Sequence, residues 1–368
     1  MFVEKNYIQV EKMKKVGILS MQKVMNYGSF LQAFALKTTI EQLGHKCEFI
    51  DIEQGKIFPE LKRSMSFLIN KAIERYFKYD VLTRIRYTKL FQYRFTQEFF
   101  GLLGTDVHTI SHFDTVVIGS DEVFNFAQRV PWGYTTQLYG NIKNADRVIS
   151  YAGSFGHTSM EDIQRFGVTD EISNALKSMD AVSVRDDNSY DIIKALIGIK
   201  PAKHIDPVLM FDYDKYAVPC SERDYIVIYT YPNRIKEKRE IDAIRSFAHK
   251  HNKKIISIGF YFPWADKTVI PTPFEVLGYI KCADYIITDT FHGTVMSIKM
   301  NRPFATLIRS SNKQKLTSLL SQFNIADRSV GCMSQLEATL LRHIDYEKVN
   351  AMLAQEKNKS IKYLEDNI

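Results

Sequence analysis

The strongest candidate for chemistry is the turn Thr288-Asp289-Thr290-Phe291-His292-Gly293. It follows the apolar run Tyr285-Ile286-Ile287 and opens a helical stretch that Arg302-Pro303 stops, because proline lacks a donor and disfavours helix just before it. Thr290 or Asp289 can cap the helix, and Gly293 lets the backbone come close to a ligand. Free N–H groups and the helix dipole then make an anion site. His292 adds a donor that can shuttle a proton near neutral pH. A capped helix with a histidine in its turn explains the same residues without any function, so spacing alone leaves both readings open.

Three further loops carry reactive groups. In Ile118-Gly119-Ser120-Asp121-Glu122-Val123-Phe124-Asn125 an apolar run ends in a glycine, a serine and two carboxylates. One carboxylate can deprotonate a sugar hydroxyl; a turn capped by Asp121 is the plainer reading. Arg185, after Val182-Ser183-Val184, can fork onto a phosphate or carboxylate, or pair with a nearby acid. Asn26-Tyr27-Gly28-Ser29 is a polar loop before a helix, fit for an anion or hydroxyl or for simple capping. His157, after Ser154-Phe155-Gly156, reads as a surface histidine.

These loops need strands that end beneath them. Lys15–Ser20, a helix from Gly28-Ser29 to Gly44, and Cys47–Ile52 form a β-α-β unit, which predicts a parallel sheet. Strands are expected at 113–119, 147–151, 181–185 and 203–208, with a helix over 189–196. Residues 57–103 interrupt the rhythm as an aromatic, basic, helical insertion in a first Rossmann-like domain spanning 14–213. Residues 212–223 read as a linker. A second Rossmann-like domain, 224–345, has strands at 225–230, 254–259, 284–288 and 304–308, with helices at 237–251, 274–282 and 293–300. A C-terminal helix, 346–368, follows. The fold class is thus α/β, two doubly wound domains in series, with ligands expected at strand C-termini in the cleft between them.

Composition narrows the function classes. The chain is long enough to bury sizeable cores without disulfides or metals. Its four cysteines, Cys47, Cys220, Cys282 and Cys332, form no CxxC pair, so a zinc ribbon or thioredoxin-type site is not expected. Scattered thiols fit a reducing cytoplasm. The first residues lack the apolar core of a secretory signal, and no run of about 18 apolar residues predicts a membrane span. Neither GxGxxG nor GxxxxGK[ST] is present, and no HExxH or paired-histidine spacing points to a metal. Between Lys56 and Gln97 ten basic residues face three acids, a net +7 that equals the whole formal charge of the chain. A partner for that segment would be anionic. Contact with an anionic membrane surface and a solvated helical hairpin packed on its own domain are the two readings.

Taken together, the loops resemble those of the polysaccharide pyruvyl transferase family. The segments that carry the resemblance are Asn26-Tyr27-Gly28 with Leu31-Gln32-Ala33-Phe34-Ala35-Leu36, then Gly119–Asn125, Ser150–Gly156, Ser183–Asp186, Asp206-Pro207-Val208 and Thr288–Thr294, in that order over about residues 16–330. Two positions depart from the family pattern. Many members carry arginine where Thr290 stands, and arginine near Lys315.

The resemblance implies a fold similar to GT-B glycosyltransferases. It also implies transfer of pyruvate from phosphoenolpyruvate, a co-substrate in place of any bound cofactor, onto two hydroxyls of a polysaccharide or lipid-linked glycan precursor as a cyclic ketal. Its expected residues are His292 and Asp121 for acid and base, and Arg185, Thr290, His292, Gly293, Thr294 and Lys315 for the donor's phosphate and carboxylate. Asn26, Tyr27, Ser120 and Asn125 are expected to hold the acceptor, with no metal and no nucleic acid. A cytoplasmic place follows, with peripheral contact at the inner face of the membrane. A GT-B sugar-nucleotide glycosyltransferase and a non-enzymatic glycan- or nucleic-acid-binding protein are the alternatives.

Overall fold

The computed structural model describes residues 13–61, 80–128, 130–216, 218–232 and 234–368. The N-terminal extension lies outside them. So do Lys62, Arg63, Lys71, Arg75 and Lys78, five of the ten basic residues of the insertion, and the aromatics Phe67, Phe77 and Tyr79.

Buried apolar runs build two six-stranded parallel sheets. The first is formed by β1 (Lys15–Leu19), β2 (Lys46–Phe49), β3 (Phe113–Asp121), β4 (Ala145–Gly153), β5 (Ser183–Val184) and β6 (Ala202–Lys203), in the order β2-β1-β3-β4-β5-β6. The second is formed by β7 (Tyr225–Tyr229), β8 (Lys254–Ile258), β9 (Lys267–Val269), β10 (Tyr285–Thr288), β11 (Phe304–Leu307) and β12 (Ser329–Val330), in the order β12-β11-β10-β7-β8-β9. The strands are covered on both faces, which is why they read as apolar runs and not as alternating patterns.

The helices are α1 (Tyr27–Gln42), α2 (Val81–Arg94), α3 (Met160–Arg165), α4 (Thr169–Lys177), α5 (Asp187–Ile197), α6 (Pro207–Met210), α7 (Lys238–Lys250), α8 (Pro273–Cys282), α9 (Phe291–Lys299), α10 (Lys313–Gln322), α11 (Leu336–Leu341) and α12 (Tyr346–Asn367). After α2 the chain makes a π turn, Phe95–Phe99, and one more helical turn to Leu103. Helix α1 is buried on nearly every side. It sits between the two sheets, with Phe34 against Phe211 and against Phe274 of α8. The largest apolar cluster therefore runs without a break from Val16 and Ile18, through Phe30 and Leu31, to Val227 and Ile286.

The structure corrects several expectations. The strand expected over 203–208 ends at Lys203, because Asp206 accepts from the Val208 amide and Pro207 takes the first position of a new helix. The stretch 212–223 is no loose linker: Tyr213 is buried and donates to the Leu31 carbonyl at 2.9 Å, and the Val218 carbonyl lies so near Gly278 that a Cβ there would meet it at 1.9 Å. Strands β9 and β12 were not anticipated; at three and two residues they are too short to show a period. Helix α3 was also missed, although Ser159 and Asp162 form a capping box that the sequence displays.

Helix α12 leaves the second sheet and returns to the first. Tyr363 donates to the Ser150 carbonyl at 2.9 Å, and Leu364 is fully buried. Truncating Leu364 should leave a cavity whose lining cannot fully collapse. We expect Leu364→Ala to cost about 3 kcal/mol, read as a lower urea midpoint at unchanged slope.

Candidate active site

In an open α/β sheet, ligands sit beyond the strand C-termini where strand order reverses. The first sheet reverses between β1 and β3, the second between β7 and β10. The loops after these four strands all line one cleft of about 320 Å³. Asn26 comes from the loop after β1, Asp121 and Glu122 from the end of β3, Tyr231 and Arg234 from the loop after β7, and Asp289 to His292 from the turn after β10. The loop after β11 adds Asn312, and the first turn of α10 adds Lys315.

His292 stands near the centre. A Cβ on Gly28 would lie 2.1 Å from its ring, so only glycine lets α1 approach this closely. Its Nε2 lies 3.5 Å from Asp206 Oδ2, an ion-pair distance too long for a good hydrogen bond, and finds no hydrogen-bond partner among the described residues. Burial works against the Asp206 charge, yet His292 and then Arg185 hold its carboxyl below the usual range. The Asp206 carboxylate also accepts from Arg185 Nη1 at 2.7 Å.

Arg185 does not line the cleft. Its buried guanidinium pairs with Asp206, reaches Asp121 Oδ1 at 3.5 Å and lies 3.9 Å from the centre of the Phe291 ring, a cation–π contact. The expected direct grip of Arg185 on a donor is thus not available in this arrangement, because two carboxylates and a ring surround the cation. Asp121 does reach the cleft, and its other oxygen accepts from Ser29 Oγ at 2.9 Å. Glu122 is ion-paired with Lys315 of α10 and accepts from Asn125 Nδ2 at 2.6 Å. Burial opposes ionisation of Glu122, but Lys315, Asn125 and Arg185 outweigh it and hold its carboxyl down at about 2.

The turn after β10 differs from expectation in its amides. Thr290 Oγ1 caps the helix by accepting from the Gly293 amide at 2.9 Å, and the Thr294 amide donates to the Thr290 carbonyl at 3.2 Å. Those two amides are therefore taken within the turn. The first two of the helix, at Phe291 and His292, are left to the cleft, as at any helix start. Thr294 is fully buried, its hydroxyl 3.0 Å from that of Thr306.

Of the expected acceptor residues, Asn26 lines the cleft; it caps α1 by accepting from the Gly28 amide at 2.7 Å and donates to the Tyr231 hydroxyl. Tyr27 points away, into the Phe91, Phe95 and Phe99 rings, with its hydroxyl donating to the Pro271 carbonyl at 2.9 Å. Ser120 is fully buried near the end of the interior strand β3, donating to Gln32 Oε1 at 3.0 Å. Asn125 is buried too, between Glu122, Thr158 and His157. His157 is exposed, as its reading as a surface histidine has it, and it also lines the cleft, 3.2 Å from Asn125 Nδ2.

Arg234 was missed. It stands in the loop after β7, so strand-end reasoning alone would have reached it. Its Nη1 donates to the Asp289 carbonyl at 3.2 Å and lies 3.8 Å from Asp289 Oδ2. Arg309, from the end of β11, brings its Nε to 3.5 Å from the same oxygen. Burial pushes the Asp289 carboxyl up, against the pull of Arg234, Thr230 and Arg309. Two guanidiniums thus lie near the buried Asp289, next to Thr290. Among the described residues no group of three or more His, Cys, Asp or Glu is placed to hold a metal.

The architecture agrees with known folds. Two structures of UGT89C1 from Arabidopsis thaliana, one complexed with quercetin and one with UDP-L-rhamnose, each superpose with a TM-score of 0.50 at 10% identity. Each pairing covers 96% of this chain and 98% of the other. At that identity the likeness is one of fold alone: two Rossmann-like domains in the GT-B arrangement. No curated protein matches the sequence significantly. The family model for polysaccharide pyruvyl transferase, however, matches residues 26–311, a span that runs from Asn26 through Asp121, Asp206 and His292 to the end of the cleft's β11 loop. The chain belongs to the polysaccharide pyruvyl transferase family.

Proposed function

We propose that the protein transfers pyruvate from phosphoenolpyruvate onto two hydroxyls of a sugar in a polysaccharide or lipid-linked glycan precursor, closing a cyclic ketal. Family membership supports the class of reaction. The observation that carries the reading is the division of charge across one cleft. Arg234, Lys315 and His292 stand on the second sheet's side; Asp121 and Glu122 stand on the first's. A donor with a phosphate and a carboxylate suits the cationic side, and acceptor hydroxyls suit the carboxylates.

In this scheme Arg234, Lys315 and the first amides of α9 hold the donor. His292 gives a proton to the enol methylene carbon. The first sugar hydroxyl adds to the adjacent carbon, and Asp121 takes its proton. The carbon–oxygen bond to phosphate then breaks, the second hydroxyl closes the ring, and its proton leaves on the phosphate. The proton on Asp121 returns to His292, so each turnover yields one ketal and one phosphate. Asp206 and Arg185 act as positioning residues: Asp206 holds His292, and Arg185 holds both Asp206 and Asp121. Asn26 and Ser29 are left to steer the acceptor. The scheme uses no metal and no cofactor besides the co-substrate.

The direct assay incubates the protein with phosphoenolpyruvate and vicinal or 1,3-diol sugars, following phosphate release and the mass of the acceptor. Coupled release and ketal mass gain support the reading. Stabilisation and turnover with a sugar nucleotide instead would replace it with glycosyl transfer. We expect His292→Ala to lower kcat by about 10²- to 10⁴-fold; near-normal turnover would remove His292 from the mechanism. Arg234→Ala should mainly raise KM for phosphoenolpyruvate, by about tenfold or more, while KM for the acceptor stays within twofold of its original value, roughly the scatter of such comparisons.

Glu122 adds a pH test. Its folded-state carboxyl lies at about 2, below its ordinary value of 4.5. The linked stability is therefore present above pH 4.5 and is lost as pH falls towards 2. Removing the cation with Lys315→Met should raise the Glu122 pKa towards or past its ordinary value, so the variant should be less stable at neutral pH and should lose less stability on acidification. Thermal melts of both proteins from neutral to acid pH check this; parallel curves would show that Lys315 does not control Glu122.

A further inference from the structure

Helix α2 belongs to the basic insertion and takes no part in the scheme above. Its inner side is well anchored: Phe91 packs on Tyr27 and Phe260, and Tyr87 stacks on Tyr261 at 5.5 Å. Its outer side is unusual. Leu82 is 83% exposed and Tyr93 59%, with Ile85 and Leu90 also exposed. The spacings of three, four, seven and eleven residues place Leu82, Ile85, Arg86, Lys89 and Tyr93 on one stripe. Arg86 and Lys89 are exposed within it, and α2 contains no acidic residue. Among the described residues these side chains stay exposed.

We propose that the outer face of α2 docks on an anionic lipid surface. A basic helix that also exposes leucine, isoleucine and tyrosine has the makeup of an interfacial helix: the apolar side chains enter the headgroup boundary and the cations meet lipid charge. The segment that contains α2 is basic as a whole, with a net +7 between Lys56 and Gln97 in the sequence. A nucleic acid would neutralise the cations but would leave Leu82, Ile85 and Leu90 in water, so the aliphatic part of the stripe favours lipid. The inner ring of α2, Phe91, touches Tyr27, the neighbour of the cleft residue Asn26. Docking through the outer face would hold the rim of the cleft about one helix diameter, roughly 10 Å, from the headgroups.

The test is flotation of the full chain with phosphatidylcholine vesicles, with and without phosphatidylglycerol, at low salt. We expect binding to the anionic vesicles alone, weakening with added salt. Arg86→Ser with Lys89→Ser should lower partitioning by about 25-fold, some fivefold for each charge. Leu82→Ser with Tyr93→Ser should lower it about tenfold. None of the four residues touches the cleft, so melting temperature and turnover of a water-soluble acceptor should not change, which separates this proposal from the chemistry above. No binding to anionic vesicles, equal binding to neutral ones, or binding unaffected by both double variants would overturn it. So would tight binding of single-stranded RNA that the Leu82/Tyr93 variant keeps while vesicle binding is absent.

Discussion

One buried cation links the two halves of the active cleft. Arg185 leaves the end of β5, pairs with Asp206 at the start of α6 and with Asp121 at the end of β3, and lies against the Phe291 ring of the other half. Asp206 in turn faces His292. The two residues assigned to acid and base thus rest on one guanidinium. Burying so many charges contributes little net stability, since desolvation offsets most of the attraction. Removing one member is a different matter, because it strands the others without compensation. The cluster therefore fixes an arrangement more than it holds the fold together. The fold itself rests on the apolar cluster that passes through α1 from one sheet to the other.

The same geometry explains how the cleft manages without an arginine at Thr290. With threonine there, the side chain serves as the cap of α9 and accepts from Gly293. Gly293 cannot be larger, since a Cβ would lie 2.1 Å from the Thr288 hydroxyl. A guanidinium reaches the cleft instead from the loop after β7, where Arg234 lies beside Asp289, while Arg309, after β11 on the other side of β10, pairs with Glu240 and lies 3.5 Å from the same carboxylate. The Asp289 carboxylate is buried and takes a 2.5 Å hydrogen bond from Thr230. It holds cations beside the helix start, at the wall of the cleft.

The sequence makes the sheets legible because parallel strands buried on both faces must be apolar throughout. Most of the described strands announce themselves that way, the two-residue, half-buried β6 and the unanticipated β9 and β12 excepted, and the strand-end rule then selects the loops. What it cannot show is which side chain at a strand end turns outward. Arg185 and Tyr27 are polar or amphipathic residues at promising positions, yet both are taken by partners remote in sequence: Asp206 and Phe291 for one, Pro271 and three phenylalanines for the other. Ser120 and Asn125 sit beside Asp121 and Glu122 in sequence but on the buried side of the same turn. Pairings between the halves, such as Lys315 with Glu122, depend on how the sheets face each other, and no local pattern encodes that. Arg234 was within reach of the strand-end rule and lacked only a motif to draw attention to it.

The cleft presents two carboxylates, and physical chemistry chooses between them for the base. Lys315, Asn125 and Arg185 favour the ionised form of Glu122 so strongly that its proton affinity is far below that of an ordinary carboxylate. A group held at about 2 takes a proton from a sugar hydroxyl with little driving force. In the proposed scheme its use is electrostatic: it keeps Lys315 at the mouth of the cleft, where the donor's phosphate would share the ammonium. Asp121 lacks such a tight ion pair. It receives one hydroxyl from Ser29 and faces Arg185 at 3.5 Å, beyond good hydrogen-bond length. The weaker embrace leaves it the freer carboxylate, which suits the role proposed for it on the first sheet's side of the cleft.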